Sequence, residues 1–381
     1  MSVRVGGRHL PALTSLRFFA ALHVVLHHHA WLAARQQSTR AGLTGAVFNA
    51  VDVGFVAVSF FFVLSGFILA YTYLPQVERG SFSPRGFWLA RFARLYPAYF
   101  VSLLPGIGFV AAVVTTSGVG FGALLVATKF TMLHAWLPST ARGWNDPTWS
   151  LSVEALFYAL FPLIVVGVAR LPRRGLLPAL LGAAFLVFAV CALRAWMDAR
   201  GIGGLRPEEI DRLFARLPLA RLPEFLVGVL LGRHFLESPL SARRAQLGLY
   251  GWGALVLVGL AFSRSIPGSL MGSGALLVPF AGLVFCAASA DGPMIRLLSA
   301  RWMVLLGEAS YSVYLFHVPV HSLLVRVWRP GLGPLEYGAG LIVDVLAVVL
   351  VSIAVYLLVE VPGRRWIRAR WGHLPARAVA E

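Results

Sequence analysis

The chain has 381 residues, of which 58% are apolar and 13% are charged. Soluble domains carry about a quarter charged residues, so this composition excludes an ordinary water-soluble globular domain, a disordered chain and a nucleic-acid-binding protein with a water-exposed basic face. The net charge is nevertheless +17, and 33 residues are basic, all but one of them arginine. An apolar chain with excess arginine is typical of a multi-pass membrane protein whose arginines lie in loops and set its orientation.

A membrane-spanning helix needs roughly 20 mostly apolar residues, and ten runs of about this length occur in the sequence. These runs are 12–33, 55–74, 97–117, 149–169, 176–197, 221–236, 246–263, 270–290, 308–327 and 337–360. We therefore predict an all-α transmembrane bundle of about ten spanning helices, forming a single domain over residues 1–381. A shorter run, 119–135, is predicted to be a re-entrant or surface segment, although counting it as a span would give eleven.

The distribution of arginines predicts that both termini face the cytoplasm. The tail at 361–381 and the loops at 75–96 and 170–175 are rich in arginine, and they can share one side only if 97–135 crosses the membrane once. The loop 198–220 opposes this topology, because it would lie outside yet carries four arginines.

The first run carries ionisable groups, which are costly inside a membrane and are therefore functional candidates. Arg17 and His28 are eleven residues apart, so they share one helix face and lie roughly 16 Å apart along the axis. An arginine at the cytoplasmic mouth and a histidine near the centre suit a polar channel with a proton acceptor inside it. The alternative is that Arg17 only anchors the helix in its orientation and that the histidines line a polar core of the helix bundle. His23 and His27 have the i, i+4 spacing of metal ligands, but without a third ligand nearby we expect no metal.

Two further segments suit ligand binding. Arg91 and Arg94 present two guanidinium groups where the third run begins, an arrangement that matches phosphate. Orientation signalling and binding of lipid headgroups are the alternative. Ser65 and Gly66 are small residues among aromatic ones, which let a ligand or another helix approach the backbone closely.

Later runs add isolated polar groups. Glu154 is expected to orient a hydroxyl or pair with a histidine, because a lone buried carboxylate would be costly. Ser310, Tyr314 and His317, at i, i+4 and i+7, form one polar stripe on an apolar helix. Glu224 is a further acid within a predicted span.

Together these segments resemble the integral-membrane type 3 acyltransferases, which modify surface polysaccharides, periplasmic glucans, Nod factors and macrolide antibiotics. They occur in the family's order between residues 12 and 319. The matching segments are Arg17 with His28, the run 61–67, Arg91 with Arg94, the run 149–154, the run 223–225 and the run 310–317.

The resemblance implies that the protein transfers an acyl group, usually acetyl, from cytoplasmic acyl-CoA to a hydroxyl of a glycan or secondary metabolite. It also implies a location in the inner (plasma) membrane of a bacterium, in contact with lipids, and it leaves a homodimer open. The expected catalytic residues are His28, Arg17, Glu154, Tyr314 and His317, and the expected CoA-binding residues are Arg91, Arg94 and Ser65.

Direct transfer with His28 as general base is the simpler mechanism, because neither cysteine lies in a matching segment. A histidine-linked acyl intermediate stays open. Ser59 stands where many family members have Asp, a variant that resembles the macrolide-acylating branch and weakly favours an acceptor other than a large glycan.

Two other classes compete with this interpretation. A proton-coupled transporter or flippase would use the same polar stripes, but transporters usually show repeat symmetry that this sequence lacks. A membrane scaffold would leave the buried Arg, His and Glu residues unexplained.

Overall fold

The computed structural model describes residues 10–37, 42–141, 143–201, 207–327 and 334–372. Within these ranges every regular element is helical, which confirms the predicted all-α class. A π-helical turn, Tyr356–Glu360, joins the last two helices. The helices are α1 (Pro11–Gln37), α2 (Gly42–Asp52), α3 (Ala57–Glu78), α4 (Pro84–Leu103), α5 (Ile107–Phe130), α6 (Trp149–Arg170), α7 (Arg173–Arg200), α8 (Pro207–Arg216), α9 (Pro218–Glu237), α10 (Ala242–Ala261), α11 (Gly268–Met271), α12 (Leu277–Ser289), α13 (Pro293–Leu298), α14 (Arg301–Val327), α15 (Pro334–Val355) and α16 (Val361–Trp371).

Six helical segments of the described chain are long and apolar enough to cross a membrane, as expected for a multi-pass membrane protein. The segments are Gly54–Glu78, Pro84–Phe130, Asp146–Arg170, Arg173–Arg200, Arg301–Val327 and Gly338–Trp371. The predicted count of about ten is not confirmed. The runs in α1 and α9 carry several ionisable side chains, and the run 270–290 is divided between α11, which has 4 residues, and α12, which has 13.

The predicted re-entrant or surface segment, 119–135, overlaps the second arm of α5, which turns back on itself at Gly118. This residue has φ 84° and ψ 161°, a conformation that essentially only glycine adopts without strain. Gly122 then packs against the side chain of Val114, whereas eight residues of continuous helix would separate them by roughly 12 Å along the axis. The returning arm ends beside α4, where the Tyr99 hydroxyl donates a hydrogen bond to the Lys129 carbonyl at 2.7 Å. Helix α5 is therefore a helical hairpin.

Helices α3 and α9 approach each other closely through glycines. A side chain at Gly66 would overlap the Phe225 carbonyl, and one at Gly228 would overlap the Val63 carbonyl. Close packing is thus the role of Gly66. The neighbouring Ser65 lies on a different face of α3 and lines the cavity described below.

Contacts of α14 with two other helices position the remaining site residues. Gly307 of α14 packs against the backbone of Thr14 in α1, and the Tyr311 hydroxyl donates a hydrogen bond to the Leu95 carbonyl of α4 at 2.9 Å. The predicted basic tail begins with α16, which packs against α4 at Gly363. The rest of that tail, from residue 373, lies outside the described residues.

Candidate active site

A cavity of about 130 Å³ lies where α1, α3, α4, α6 and α14 meet. It brings together most of the side chains that were selected from the sequence. His28 and His317 are not among its lining residues. His317 lies next to Tyr314, and His28 lies next to His317. The predicted site residues that line the cavity are Arg17, Ser65, Arg91, Arg94, Glu154 and Tyr314.

Three guanidinium groups, those of Arg17, Arg91 and Arg94, line one part of the cavity, which we call the arginine end. The Arg91 Cζ atom lies 5.9 Å from the ring centroid of Phe87 and 6.0 Å from that of Tyr158. The Arg91 Nε atom is buried and has no hydrogen-bond partner among the described residues. A guanidinium that rests on aromatic rings and has an N–H group to donate is well arranged to bind an anionic ligand.

Two carboxylates, Glu154 and Glu360, balance part of this positive charge. Both interact electrostatically with Arg17 and Arg94, and the Tyr158 hydroxyl donates a hydrogen bond to Glu154. Glu154 was expected either to orient a hydroxyl or to pair with a histidine. It lies among arginines and next to the Tyr158 hydroxyl, and the interactions found for it include no histidine. With three arginines against two glutamates, the arginine end keeps a positive balance that an anion would neutralise.

Glu360 and Tyr158 were missed by the sequence analysis. Glu360 lies in the π-helical turn, where 1% of its surface is exposed, and accepts a hydrogen bond from Ser312 at 3.4 Å. The rule that selected Glu154, that acids inside apolar runs are functional candidates, applies equally to Glu360. Tyr158 follows Glu154 by one helical turn and is also hydrogen-bonded to Ser65, so it connects two predicted residues.

Tyr314 lies between the cavity and the histidines. Its hydroxyl donates a hydrogen bond to the Pro147 carbonyl at 2.8 Å and accepts one from the Ser150 hydroxyl at 2.8 Å. Its ring centroid lies 6.0 Å from that of His317. The polar stripe predicted on α14 therefore extends from the cavity lining at Tyr314 to His317.

His28 and His317 form what we call the histidine end, with ring centroids 4.9 Å apart. In each ring the Nδ1 atom is hydrogen-bonded to a backbone carbonyl, at 2.9 Å to Val24 and at 2.7 Å to Tyr314. Because a carbonyl can only accept, Nδ1 is the protonated nitrogen in the neutral form of each ring, and Nε2 then has a lone pair available. His28 is exposed whereas His317 is fully buried, so His28 is the more accessible base.

A tight loop between α5 and α6 borders the histidine end. Trp144 and Asn145 both have positive φ angles, 37° and 64°, and such strained backbone is frequent at functional sites. The Asn145 amide donates a hydrogen bond to the Leu315 carbonyl at 3.1 Å. Asp146 accepts two hydrogen bonds from Arg216, at 2.9 and 3.1 Å. Arg216 is one of the four arginines in the loop 198–220, the loop that opposed the predicted topology, and this ion pair gives it a structural role.

A second cavity, of about 380 Å³, adjoins this loop. It combines aromatic, hydroxyl, amide and guanidinium groups, which together suit a polar organic ligand. Its lining includes Ser102, Phe109, Trp144, Asn145, Ser322 and Arg326.

Hydrogen bonds describe the surroundings of two other groups that the sequence analysis singled out. His23 Nε2 and His27 Nδ1 are bonded to the carbonyls of Ala50 and Val51, at 2.7 and 3.3 Å, so backbone contacts account for this pair. Ser59 is buried and donates a hydrogen bond to Glu224 at 3.1 Å. Ser59 does not line the main cavity. Its location therefore gives no support to the hypothesis that serine at this position favours an acceptor other than a large glycan.

Comparison with known proteins shows which family the chain belongs to. The family described as "Acyltransferase domain" matches residues 10–361. The chain is 30% identical to the acyltransferase MdmB of Streptomyces mycarofaciens, over 91% of this chain and 88% of that protein. It is 29% identical to the exopolysaccharide production protein ExoZ of Rhizobium meliloti (strain 1021), over 84% of this chain and 92% of that protein.

A third relative is the Bacillus subtilis (strain 168) protein YrhL, named as a candidate peptidoglycan O-acetyltransferase. It is 26% identical over 85% of this chain, which spans 50% of YrhL. No solved structure matches the chain. The family match covers nearly all of the described helices and every residue of the site, and the chain therefore belongs to the membrane-bound type 3 acyltransferase family and is a transferase enzyme.

Proposed function

We propose that this protein transfers an acyl group, acetyl in the simplest case, from acyl-CoA to a hydroxyl group of a glycan or a glycosylated secondary metabolite. The observation that carries the proposal is the arrangement of two chemically different ends on either side of Tyr314. One end offers three arginines and the other offers two histidines with available Nε2 atoms.

The arginine end is suited to the phosphates of CoA. Guanidinium groups bind phosphate through two parallel hydrogen bonds, and the Arg91 Nε atom is buried with no other partner among the described residues. In this proposal Arg91 and Arg94 hold the phosphates, and Ser65 contacts the donor deeper in the cavity. Since acyl-CoA is a cytoplasmic metabolite, the arginine end then faces the cytoplasm, in agreement with the arginine-rich loops.

The histidine end is suited to the proton transfers of the reaction. His28 Nε2 accepts the proton of the acceptor hydroxyl while that oxygen forms a bond to the thioester carbonyl carbon. The carbon–sulfur bond then breaks, and His28 returns the proton to the CoA sulfur, so atoms and charges balance. Arg17 supplies positive charge on the same face of α1, and Tyr314 lies between the two ends.

The acceptor reaches His28 from the exposed side of the histidine end. His28 is exposed there, and the second cavity provides Trp144 and Phe109 together with Asn145 and Arg326. Aromatic faces beside hydrogen-bonding groups suit a sugar or another hydroxyl-rich molecule. The donor and acceptor would then enter from opposite ends and meet at Tyr314.

The test is acyl transfer by the purified protein in detergent or nanodiscs, measured as release of free CoA thiol from acetyl-CoA in the presence of glycan and macrolide acceptors. The wild type is expected to release thiol only when a suitable acceptor is present. His28→Ala and Arg17→Ala are expected to abolish this release at normal expression. The matched controls are His234→Ala and Arg85→Ala, which change exposed residues outside the cavity.

Retention of acceptor-dependent thiol release by both His28→Ala and Arg17→Ala would remove the proposal. A wild type that moves a labelled glycan across a sealed vesicle without consuming acetyl-CoA would favour the transporter alternative.

A further inference from the structure

Three titratable side chains meet close to the histidine end, and the proposed mechanism uses none of them. His29 Nδ1 and His321 Nδ1 both lie near the same carboxylate oxygen, Asp344 Oδ2, at 2.6 and 2.7 Å. The two imidazole rings are stacked, with centroids 4.4 Å apart. We call these three residues the His29 cluster. They come from α1, α14 and α15, so only the tertiary structure brings them together.

The chemistry of the His29 cluster matches that of a transition-metal site. Zinc binds imidazole nitrogen and carboxylate oxygen at about 2.0–2.2 Å, usually with four ligands in a tetrahedron. The three potential ligand atoms of the cluster lie within 4.8 Å of one another. Tetrahedral ligands at these bond lengths are roughly 3.3 Å apart. Each histidine Nδ1 atom would therefore need to move away from Asp344 Oδ2 by less than about 1 Å to make room for the ion.

The surroundings of Asp344 support an ion more than a simple hydrogen-bonded group. Its side chain is 9% exposed, and Oδ1 is buried without a hydrogen-bond partner among the described residues. A buried, unpaired carboxylate oxygen is costly, and a metal ion bound to the carboxylate would offset this cost.

One ligand of the cluster is partly exposed at the surface of the protein. The His29 side chain is 1% exposed, whereas that of His321 is 39% exposed. An ion could therefore enter past His321 and be held by the two buried ligands. A fourth position would remain for water, as in zinc sites with three protein ligands.

We propose that His29, His321 and Asp344 bind a divalent transition-metal ion of the zinc type, each histidine through Nδ1. The ion would join α1, α14 and α15 beside the reaction centre. His29 directly follows His28 in the chain, and the His29 and His317 ring centroids are 5.7 Å apart. The ion would therefore fix the helix segment that carries His28, and the proposed acyl transfer uses none of its three ligands.

The experiment measures metal binding by the full chain without donor or acceptor, so its outcome does not depend on the proposed acyl transfer. Purified protein is stripped with a chelator, and its Zn²⁺ affinity and stoichiometry are measured in competition with a chromogenic zinc indicator. We expect one Zn²⁺ per chain and a Zn²⁺-dependent rise in the thermal unfolding temperature. Asp344→Asn and His321→Ala are expected to weaken binding at least tenfold and to remove that rise.

His234→Ala is the matched control, because His234 is an exposed histidine that stacks on Phe285 away from the cluster. Asp344→Asn preserves the size of the side chain, so the affinity can be compared in a protein that still folds. Zn²⁺ binding that is absent from the wild type, or that is as tight in Asp344→Asn and His321→Ala as in the wild type, would overturn the proposal. In that case the cluster is a hydrogen-bonded contact among three helices.

Discussion

His28 of α1 and His317 of α14 lie with their ring centroids 4.9 Å apart, and each holds its Nδ1 proton on a backbone carbonyl. This shared arrangement leaves the Nε2 atom of each ring without its own proton, one on an exposed residue and one on a fully buried residue. Only the exposed residue, His28, can meet an acceptor without rearrangement of the protein. The buried ring of His317 packs against it.

His28→Asn should therefore lower kcat by about 10²–10⁴-fold, the usual contribution of a general base. The Asn amide can still donate to the Val24 carbonyl that holds His28 Nδ1, but it has no basic nitrogen in place of Nε2. The measurement is the initial rate of acyl transfer at saturating donor, together with the affinity for acetyl-CoA. A nearly unchanged kcat would show that another group accepts the proton. If His28→Asn also lost its affinity for acetyl-CoA, the effect would be structural instead.

Arg91→Ala and Arg94→Ala should each raise the Kd for acetyl-CoA by about 10–100-fold, because hydrogen bonds to charged groups contribute about 1.5–3 kcal/mol. Lysine at either position should restore only part of the affinity, since it cannot form two parallel bonds to phosphate. The measurement is isothermal titration with acetyl-CoA and with an acetyl thioester of pantetheine, which has no phosphate.

The pantetheine thioester should bind equally well to the wild type and to both arginine variants. Arg85→Ala, at the exposed start of α4, should not change either affinity. If the variants lost equal affinity for acetyl-CoA and for the pantetheine thioester, Arg91 and Arg94 would not bind the phosphates of CoA.

Glu224→Gln should destabilise the fold by about 3–5 kcal/mol, the usual result of breaking a buried ion pair. Arg221 and Glu224 are 2% and 1% exposed and are 3.1 Å apart. Arg221 also donates a hydrogen bond to Ser59 at 2.9 Å, so the double variant Ser59→Asp with Glu224→Gln should recover much of the loss by returning a carboxylate to Arg221.

The measurement is the thermal unfolding temperature in detergent for the wild type, the two single variants and the double variant. Ser59→Asp alone should be destabilising, because it places a second carboxylate beside Glu224. If the double variant is no more stable than Glu224→Gln, the carboxylate at position 59 does not pair with Arg221.

Gly118→Ala should destabilise the α5 hairpin by about 1–3 kcal/mol, the usual cost of forcing a side chain into this backbone region. No atom lies within 4 Å of the added methyl group, so the effect would come from the backbone alone. Gly120→Ala is the matched control, because that position is equally open and has no positive φ angle. Equal unfolding temperatures for the two variants would contradict the sharp turn at Gly118.

Composition and the spacing of polar groups within single helices were sufficient to predict the all-α membrane class and six of the residues that line the cavity. Arg17, Glu154 and Tyr314 could be found because an ionisable or hydroxyl group inside an apolar run is costly and so needs a reason to be there. Glu360 was open to the same reasoning and was missed. The number of spans was not confirmed, because apolar runs reveal helices but not whether each one crosses the membrane.

The sequence by itself determined that the chain forms apolar helices with a few polar stripes, and that arginine and histidine groups share helix faces. Only the tertiary structure decided that Glu154 lies among arginines, that His28 lies beside His317, and that His29 meets His321 and Asp344. The physical reason is that helical periodicity fixes which residues share a face of one helix. Contacts between helices distant in the chain depend instead on where glycines such as Gly66 and Gly307 let the backbones pack closely, and periodicity within one helix does not specify that partner.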